Sequence, residues 1–305
     1  MAHTAIPPHL RAFPNGWEAH KDRHCIWIVT PDGYDHSHAF DEVALAMQGA
    51  FEALGGSAPI VTDGRAFAGR APIIYGANLL PADIAQYLPP DSVVINLEQV
   101  SDDSAWMNSR YAAVLRDLPV LDYSPRNRDN LAARGVGHAG LLEIGYSPVL
   151  TRIRPAPVQD IDVLFYGSTN ERRAEILRGL LGAGLTLVNL FNVYGEKRDA
   201  AIARAKIVLN LHYYASNIFE IVRISYLLSN RVCVLTEGDA TDPAVQPYLG
   251  GLAIAPYDRL VERAQTLVAD AGERARIAEA GFAAITRRSQ AEMLMALIKA
   301  NDAGG

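Results

Sequence analysis

The chain has 305 residues, half of them apolar and a fifth charged, with a formal net charge of −6 at pH 7. This is a globular composition with apolar material for two cores, and its acidic balance argues against a general nucleic-acid or anionic-membrane binder. No apolar run reaches 18 residues, and an N-terminus bearing Pro7, Pro8 and Pro14 does not read as a signal peptide, so a cytoplasmic protein without a membrane segment is expected.

Strand and helix patterns alternate along the whole sequence. Residues 24–30 form a continuous apolar strand, followed by an amphipathic helix over 38–54 that stops at Gly55 and Gly56. Short strands follow at 58–61, 72–75, 92–96, 119–122 and 140–144, with helical stretches at 81–87, 104–115 and 127–134. Apolar strands without alternation, separated by helices, predict a mostly parallel sheet covered on both faces. Residues 146–158 carry three prolines and no periodicity, and read as a linker. The pattern then restarts, with strands at 162–166, 186–190, 207–211, 232–235 and 252–255. Helices are expected at 171–181, 196–205, 218–229, 258–271 and 273–299. The division predicted is therefore a first domain over 1–150 and a second over 151–305, with ligands bound between them at the carboxyl ends of the strands. Cys25 and Cys233 sit in apolar strand-like runs and read as reduced core residues, not as a disulfide or a metal pair.

Two motifs fail on context. Gly135-Val-Gly-His-Ala-Gly140 has the spacing of a dinucleotide fingerprint, but it leaves a helix and enters a strand, the reverse of what that motif needs. Asp160-Ile-Asp162 resembles a metal-nucleotide motif, yet it lies at the amino end of its strand.

Several strand ends are more promising. The strand ending at Tyr166 runs into Gly167, Ser168, Thr169 and Asn170, then Glu171, Arg172 and Arg173 open a helix. Glycine admits close approach, the hydroxyls and free helix N–H groups can donate, and the arginines add positive charge, which together suit a phosphate. The plainer reading is an ordinary turn with an N-cap. Asn192-Val-Tyr-Gly195 ends the next strand, where Tyr194 could hold a flat base edge or simply line a loop. The strand over 207–211 runs into His212 and two tyrosines. In 217–237 a nearly apolar helix contains Glu220 and Arg223 one turn apart, charges that must pair or face a polar ligand. In the first half, Asp35, His36, Ser37 and His38 gather directly after the first strand, an acid–base candidate because histidine titrates near neutrality. The alternative there is a helix cap with solvated histidines, and no third ligand at a familiar spacing supports zinc. Asn96-Leu-Glu98 and Asp122-Tyr-Ser124 end strands on the same rim, and Glu98 is a second candidate base.

These segments resemble the two-domain GT-B glycosyltransferases, particularly the group-1 type and its spore-maturation-like relatives. The match lies in the strand into Gly167-Ser168, the run Ala205-Lys-Ile-Val-Leu-Asn-Leu-His212, and Asn217–Glu237. The family usually reads Glu-x-Phe-Gly, then a helix with a second Glu. Here Asn217 takes the first Glu position, Phe219 keeps the Phe, Glu220 replaces the Gly, Ser225 replaces the second Glu, and Asn230 takes the turn. The resemblance implies an α/β fold of two Rossmann-like domains with mostly parallel sheets facing an interdomain cleft. It implies metal-independent sugar transfer, without a cofactor, from a nucleotide-diphosphate-sugar co-substrate to an unidentified acceptor hydroxyl. Donor contacts would fall to Gly167, Ser168, Thr169, Asn170, Arg172, Arg173, Tyr194, His212, Asn217, Phe219, Glu220, Arg223 and Ser225, and acid–base chemistry to Asp35, His36, His38 or Glu98. The altered glutamates keep two other readings open: a catalytically inactive GT-B-like protein that binds a nucleotide, glycan or partner, and a GT-B-fold nucleotide-sugar epimerase. Oligomeric state is not readable from the sequence.

Overall fold

A computed structural model describes residues 6–102, 104–214 and 218–303. Two compact units divide the chain: Met1–Ser147 together with Ser289–Gly305, and Pro148–Arg288.

The first unit contains α1 (Trp17–His20), β1 (His24–Ile28), α2 (Asp41–Ala53), β2 (Ile60–Val61), β3 (Ala71–Tyr75) and β4 (Val93–Asn96). It continues through α3 (Ser109–Asp117), β5 (Val120–Asp122), α4 (Pro125–Ala133) and β6 (Gly140–Leu141). Its six strands pair in the order β2-β1-β3-β4-β5-β6, every pair parallel. All residues of β1, β3 and β4 are buried, as runs without alternation require when helices cover both faces.

The second unit contains β7 (Ile161–Tyr166), α5 (Glu171–Gly182), β8 (Leu187–Leu190), α6 (Gly195–Arg204), β9 (Ala205–Asn210) and α7 (Ile221–Ser229). After these come β10 (Val234–Glu237), β11 (Ala253–Ala255), α8 (Leu260–Ala269) and α9 (Ala271–Thr286). Its sheet has the order β11-β10-β9-β7-β8, again parallel throughout. Phe165, Leu209 and Leu235 from adjacent strands meet Leu180 of α5 and Leu260 of α8 in the core. The proline-rich segment is anchored at its start by Asn230, whose Oδ1 accepts from the backbone N–H groups of Arg152 (2.8 Å) and Ile153 (2.7 Å).

Several elements depart from the sequence reading. The single helix expected over 273–299 is two: α9 ends at Thr286, and α10 spans Gln290–Ala303. The break is held by Ser289, whose Oγ accepts the Glu292 N–H (3.3 Å), and by Tyr146, whose carbonyl accepts the Gln290 N–H (2.8 Å). Helix α10 packs on α2 and buries Leu294 and Ile298, so residues 289–305 join the first unit, whereas the sequence division placed them in the second. The stretch 81–87 is a short 3-10 turn at Ile84–Tyr87, and the helix expected over 104–115 begins only at Ser109, capped by Asn108. Helix α7 starts at Ile221, leaving Phe219 and Glu220 in the turn before it. Among the described residues no helix is long and apolar enough to cross a membrane.

Candidate functional site

Strands β10, β9 and β7 are neighbours, so parallel pairing brings their carboxyl ends, Glu237, Asn210 and Tyr166, to one edge of the second sheet. Gly167 follows β7 with φ +134°, and a Cβ there would lie 3.1 Å from Arg223 Nη2 and 3.7 Å from Arg173 Nη1. The positive φ favours glycine here, and a side chain would in addition press on the Arg223 guanidinium. Asn170 caps α5: its Oδ1 accepts the Arg173 N–H (3.0 Å), while Nδ2 donates to the Tyr213 carbonyl (3.0 Å). Ser168 and Thr169, between glycine and cap, are exposed.

Three arginines and two glutamates converge on this edge. Arg173 is 3% exposed; Nη1 donates to the Ser168 carbonyl (2.8 Å), and Nη2 donates to the Leu211 carbonyl and to Glu220 Oε1 (3.2 Å). Its guanidinium also lies over the rings of Phe165 and Tyr213. Burial pulls the Arg173 pKa down to about 10, Glu220 opposing the fall and Arg223 adding to it. Its Nε has no hydrogen-bond partner among the described residues. Arg223 donates through Nη1 to Asn210 Oδ1 (3.2 Å), pairs with Glu220 Oε2 (3.3 Å) and lies over the Tyr166 ring. Glu220 therefore bridges Arg173 and Arg223, one oxygen to each.

Arg172 has a different commitment. Its fork closes on both oxygens of buried Glu237, with Nη1 at 2.7 Å from Oε2. Nη1 also donates to the His212 carbonyl (3.2 Å), and Glu237 Oε2 accepts the His212 N–H (3.2 Å). The carboxylate raises the Arg172 pKa, and the Tyr257 ring stacks beneath the guanidinium at 4.1 Å. This pair pins the turn after β9. His212 itself is 3% exposed, and its Nδ1 has no partner among the described residues.

The first sheet has its own polar rim. Asn96 ends β4 and Asp122 ends β5, and Asn96 Nδ2 donates to Asp122 Oδ2 (2.5 Å). Asp122 Oδ2 also accepts from Asn127 Nδ2 (3.2 Å), and Oδ1 accepts the Ser124 N–H (2.8 Å). The Tyr111 hydroxyl closes the network on Asn96 Oδ1 (2.7 Å). Burial pushes the Asp122 carboxyl up to about 7 against these donors, and burial alone pushes Glu98 to about 7. Burial raises the Tyr34 pKa, with the Glu98 charge adding to the rise, and the His36 ring meets Tyr34 edge-on at 5.3 Å. In the 3-10 turn Asp35–Phe40, Ser37 is the anchor, donating to the Val29 carbonyl at 2.6 Å. His38 is half exposed, and its Nδ1 lies 3.0 Å from Asp41 at the start of α2.

No family model matches the chain. It is 32% identical over 108 residues to the uncharacterized protein L138 of Acanthamoeba polyphaga mimivirus, covering 34% of this chain and 12% of L138. With R358 of the same virus it shares 24% over 186 residues, 58% of this chain and 62% of R358, so it spans under two thirds of each relative. The solved structures are more informative. AviGT4, a glycosyltransferase involved in avilamycin A biosynthesis, aligns over 92% of this chain and 99% of its own at TM-score 0.55 and 15% identity. Anabaena HepE, solved with UDP and glucose, aligns over 92% and 98% at TM-score 0.54 and 11% identity. WaaG, a glycosyltransferase of lipopolysaccharide biosynthesis, gives 92% and 98% at TM-score 0.54 and 11% identity. The chain has the GT-B glycosyltransferase fold.

Within that GT-B framework the sequence-chosen residues separate into groups. Gly167, Arg173, Glu220 and Arg223 meet directly, and Ser168 and Asn170 are joined to Arg173 by hydrogen bonds, whereas Arg172 and His212 are held to each other and to Glu237. Thr169 lies in the same exposed turn. Tyr194 precedes α6, with its hydroxyl 3.5 Å from Asn192 Oδ1. Phe219 is buried against Tyr248, and the Ser225 hydroxyl turns back to the Val222 carbonyl of its own helix (3.4 Å). Asn217 lies outside the described residues. Asp160 and Asp162 are taken by Arg204 and Lys206 at the amino end of the sheet. Glu237, Asn210 and Asp41 complete the sites and were not chosen from sequence. Their signals were weak: a Thr-Glu strand end, an Asn ending an apolar strand, and a carboxylate three residues after a histidine.

Proposed function

We propose that the chain is a glycosyltransferase that binds a nucleoside-diphosphate sugar through its second unit and transfers the sugar to an acceptor hydroxyl. The observation that carries this reading is the cluster of Arg173 and Arg223 beside Gly167, with a buried Arg173 Nε–H that has no partner among the described residues. A buried, unsatisfied charged donor costs free energy that an anionic ligand would recover. The N-terminus of α5 and the Ser168 and Thr169 hydroxyls add donors suited to a diphosphate. Arg172 is better understood as the partner of Glu237, fixing the turn that carries His212.

In the reaction, the bond between the anomeric carbon and the diphosphate oxygen breaks, with its electron pair leaving on the diphosphate. A bond forms to the acceptor oxygen, whose proton passes to a base. Positive charge grows on the sugar and negative charge on the leaving group. Arg173 and Arg223 stabilise the latter as preorganised cations, doing the work a divalent cation does in other transferases. Glu220 holds hydroxyls of the ribose or the sugar.

His38 is the base in this reading. Nδ1–H donation to Asp41 places the lone pair on Nε2 and stabilises the imidazolium that forms. A second reading makes Glu98 the base, because its carboxyl titrates near 7, where a proton acceptor works best. The test is release of nucleoside diphosphate from sugar nucleotides, with and without an acceptor panel, in the presence of EDTA. Acceptor-dependent release supports transfer. Binding without release points to a binding protein, and a product still linked to nucleotide points to an epimerase.

A further inference from the structure

Resting on the proposed donor site, we infer that Glu220 sets ligand selection, acting as an internal counter-anion that discriminates against bare polyanions. Its two oxygens already occupy Arg173 (3.2 Å) and Arg223 (3.3 Å), the same two guanidinium groups that crowd Gly167. Its side chain is only 12% exposed, so the pairing is shielded from screening by water. Arg172 cannot relieve this competition, because its fork is closed on Glu237. The whole cluster, three arginines against two glutamates, carries a net charge of only +1.

A diphosphate entering beside Gly167 must take the arginines from Glu220 and then lie next to its carboxylate. For inorganic pyrophosphate that is a like-charge juxtaposition with nothing to offset it. A diphosphate that carries hydroxyl groups alongside changes the balance, because those hydroxyls donate to the displaced carboxylate in a charge-assisted hydrogen bond. Glu220 is the N-cap of α7: its carbonyl accepts the Arg223 and Ile224 N–H groups (both 3.1 Å), but its side chain makes no cap bond, so rotating the carboxylate breaks no helix hydrogen bond. The same carboxylate thus repels bare phosphates and rewards a diol. The selected class is a diphosphate ester of polyhydroxylated groups, as opposed to free pyrophosphate or inorganic phosphate.

The experiment is calorimetric titration of the full-length chain and of Glu220→Gln with two probes, inorganic pyrophosphate and UDP-glucose. Glutamine keeps the shape and removes the charge. The expected result is that pyrophosphate binds the variant roughly tenfold or more tightly than it binds the wild type, while UDP-glucose gains less or weakens. The preference for the sugar nucleotide over pyrophosphate then collapses. Pyrophosphate affinity that is unchanged or lower in the variant, with UDP-glucose still bound by the wild type, overturns the inference and leaves the donor site intact. Failure of the wild type to bind either probe overturns the donor-site reading and the inference with it. Glu220→Ala is the second variant, expected to shift pyrophosphate in the same direction. If neither variant folds, Glu220 serves the fold and not selection, which also overturns the inference.

Discussion

Replacing Glu98 by Gln should stabilise the first unit at alkaline pH and leave its stability nearly unchanged in acid. Burial raises the Glu98 carboxyl from 4.5 to about 7 in the folded chain, so the folded state holds a proton that the unfolded chain releases. The stability this confers is complete below the unfolded value and is lost as pH rises through the folded one. At about 1.4 kcal/mol per pH unit, the interval corresponds to up to about 3 kcal/mol. Glutamine never ionises, so the variant should lead the wild type by that amount at pH 8.5. Near pH 4.5 the two should agree within about 0.5 kcal/mol. Asp122, also raised to about 7, acts in the same direction as Glu98, while His24, lowered by burial to about 4, opposes them by losing stability as pH falls. Both contributions are common to the two chains and cancel in the difference. Tryptophan fluorescence in urea is the assay, because Trp17, Trp27 and Trp106 all lie in the first unit. A variant less stable than wild type at pH 8.5, or offset equally at both pH values, would refute the reasoning.

Three further outcomes follow from the same geometry. Gly167→Ala should weaken nucleoside-diphosphate binding at least tenfold and cost about 1–3 kcal/mol in stability, since φ +134° is strained for alanine and its Cβ would crowd Arg223; calorimetry and thermal melting read the two effects separately. Arg172→Ala should destabilise the second unit by about 3–5 kcal/mol by leaving buried Glu237 without its cation, seen as a fall in the urea midpoint by circular dichroism. His38→Ala and Asp41→Asn should leave donor affinity unchanged, with turnover reduced about 10²–10⁴-fold in the first and less in the second; if Glu98→Gln abolishes turnover while both of these remain active, the base is Glu98.

The architecture was readable because unbroken apolar runs such as 24–28 and 71–75 have few other uses than fully buried parallel strands. Glycine at the end of β7, followed by a capping Asn and two arginines, likewise marked from local chemistry the loop beside which Arg173, Glu220 and Arg223 meet. What local pattern could not supply was partnership. Arg172 and Arg173 are neighbours in sequence, yet one closes on Glu237 from β10 and the other on Glu220, a distinction made only by sheet order. Ser225 sat at a family position but turns into its own helix, because a serine in a helix can satisfy its hydroxyl on a preceding carbonyl. The break between α9 and α10 did leave a local mark: Ser289-Gln-Ala-Glu292 has capping-box spacing, masked by helix-forming residues on either side. That the last helix returns to the first unit follows from its packing on α2, a long-range contact no window of sequence contains.

The most direct test of the account is titration of nucleoside diphosphates, UDP among them, into the wild-type chain and into Arg223→Ala. Arg223 is the arginine beside Gly167 whose side chain reaches solvent, at 20% exposure, so its removal spares the core. The account predicts saturable binding of at least one nucleoside diphosphate by the wild type, weakened roughly ten- to a hundredfold in the variant, the loss of one charge-assisted hydrogen bond. Equal affinity in the two chains, or no binding by the wild type, would contradict it.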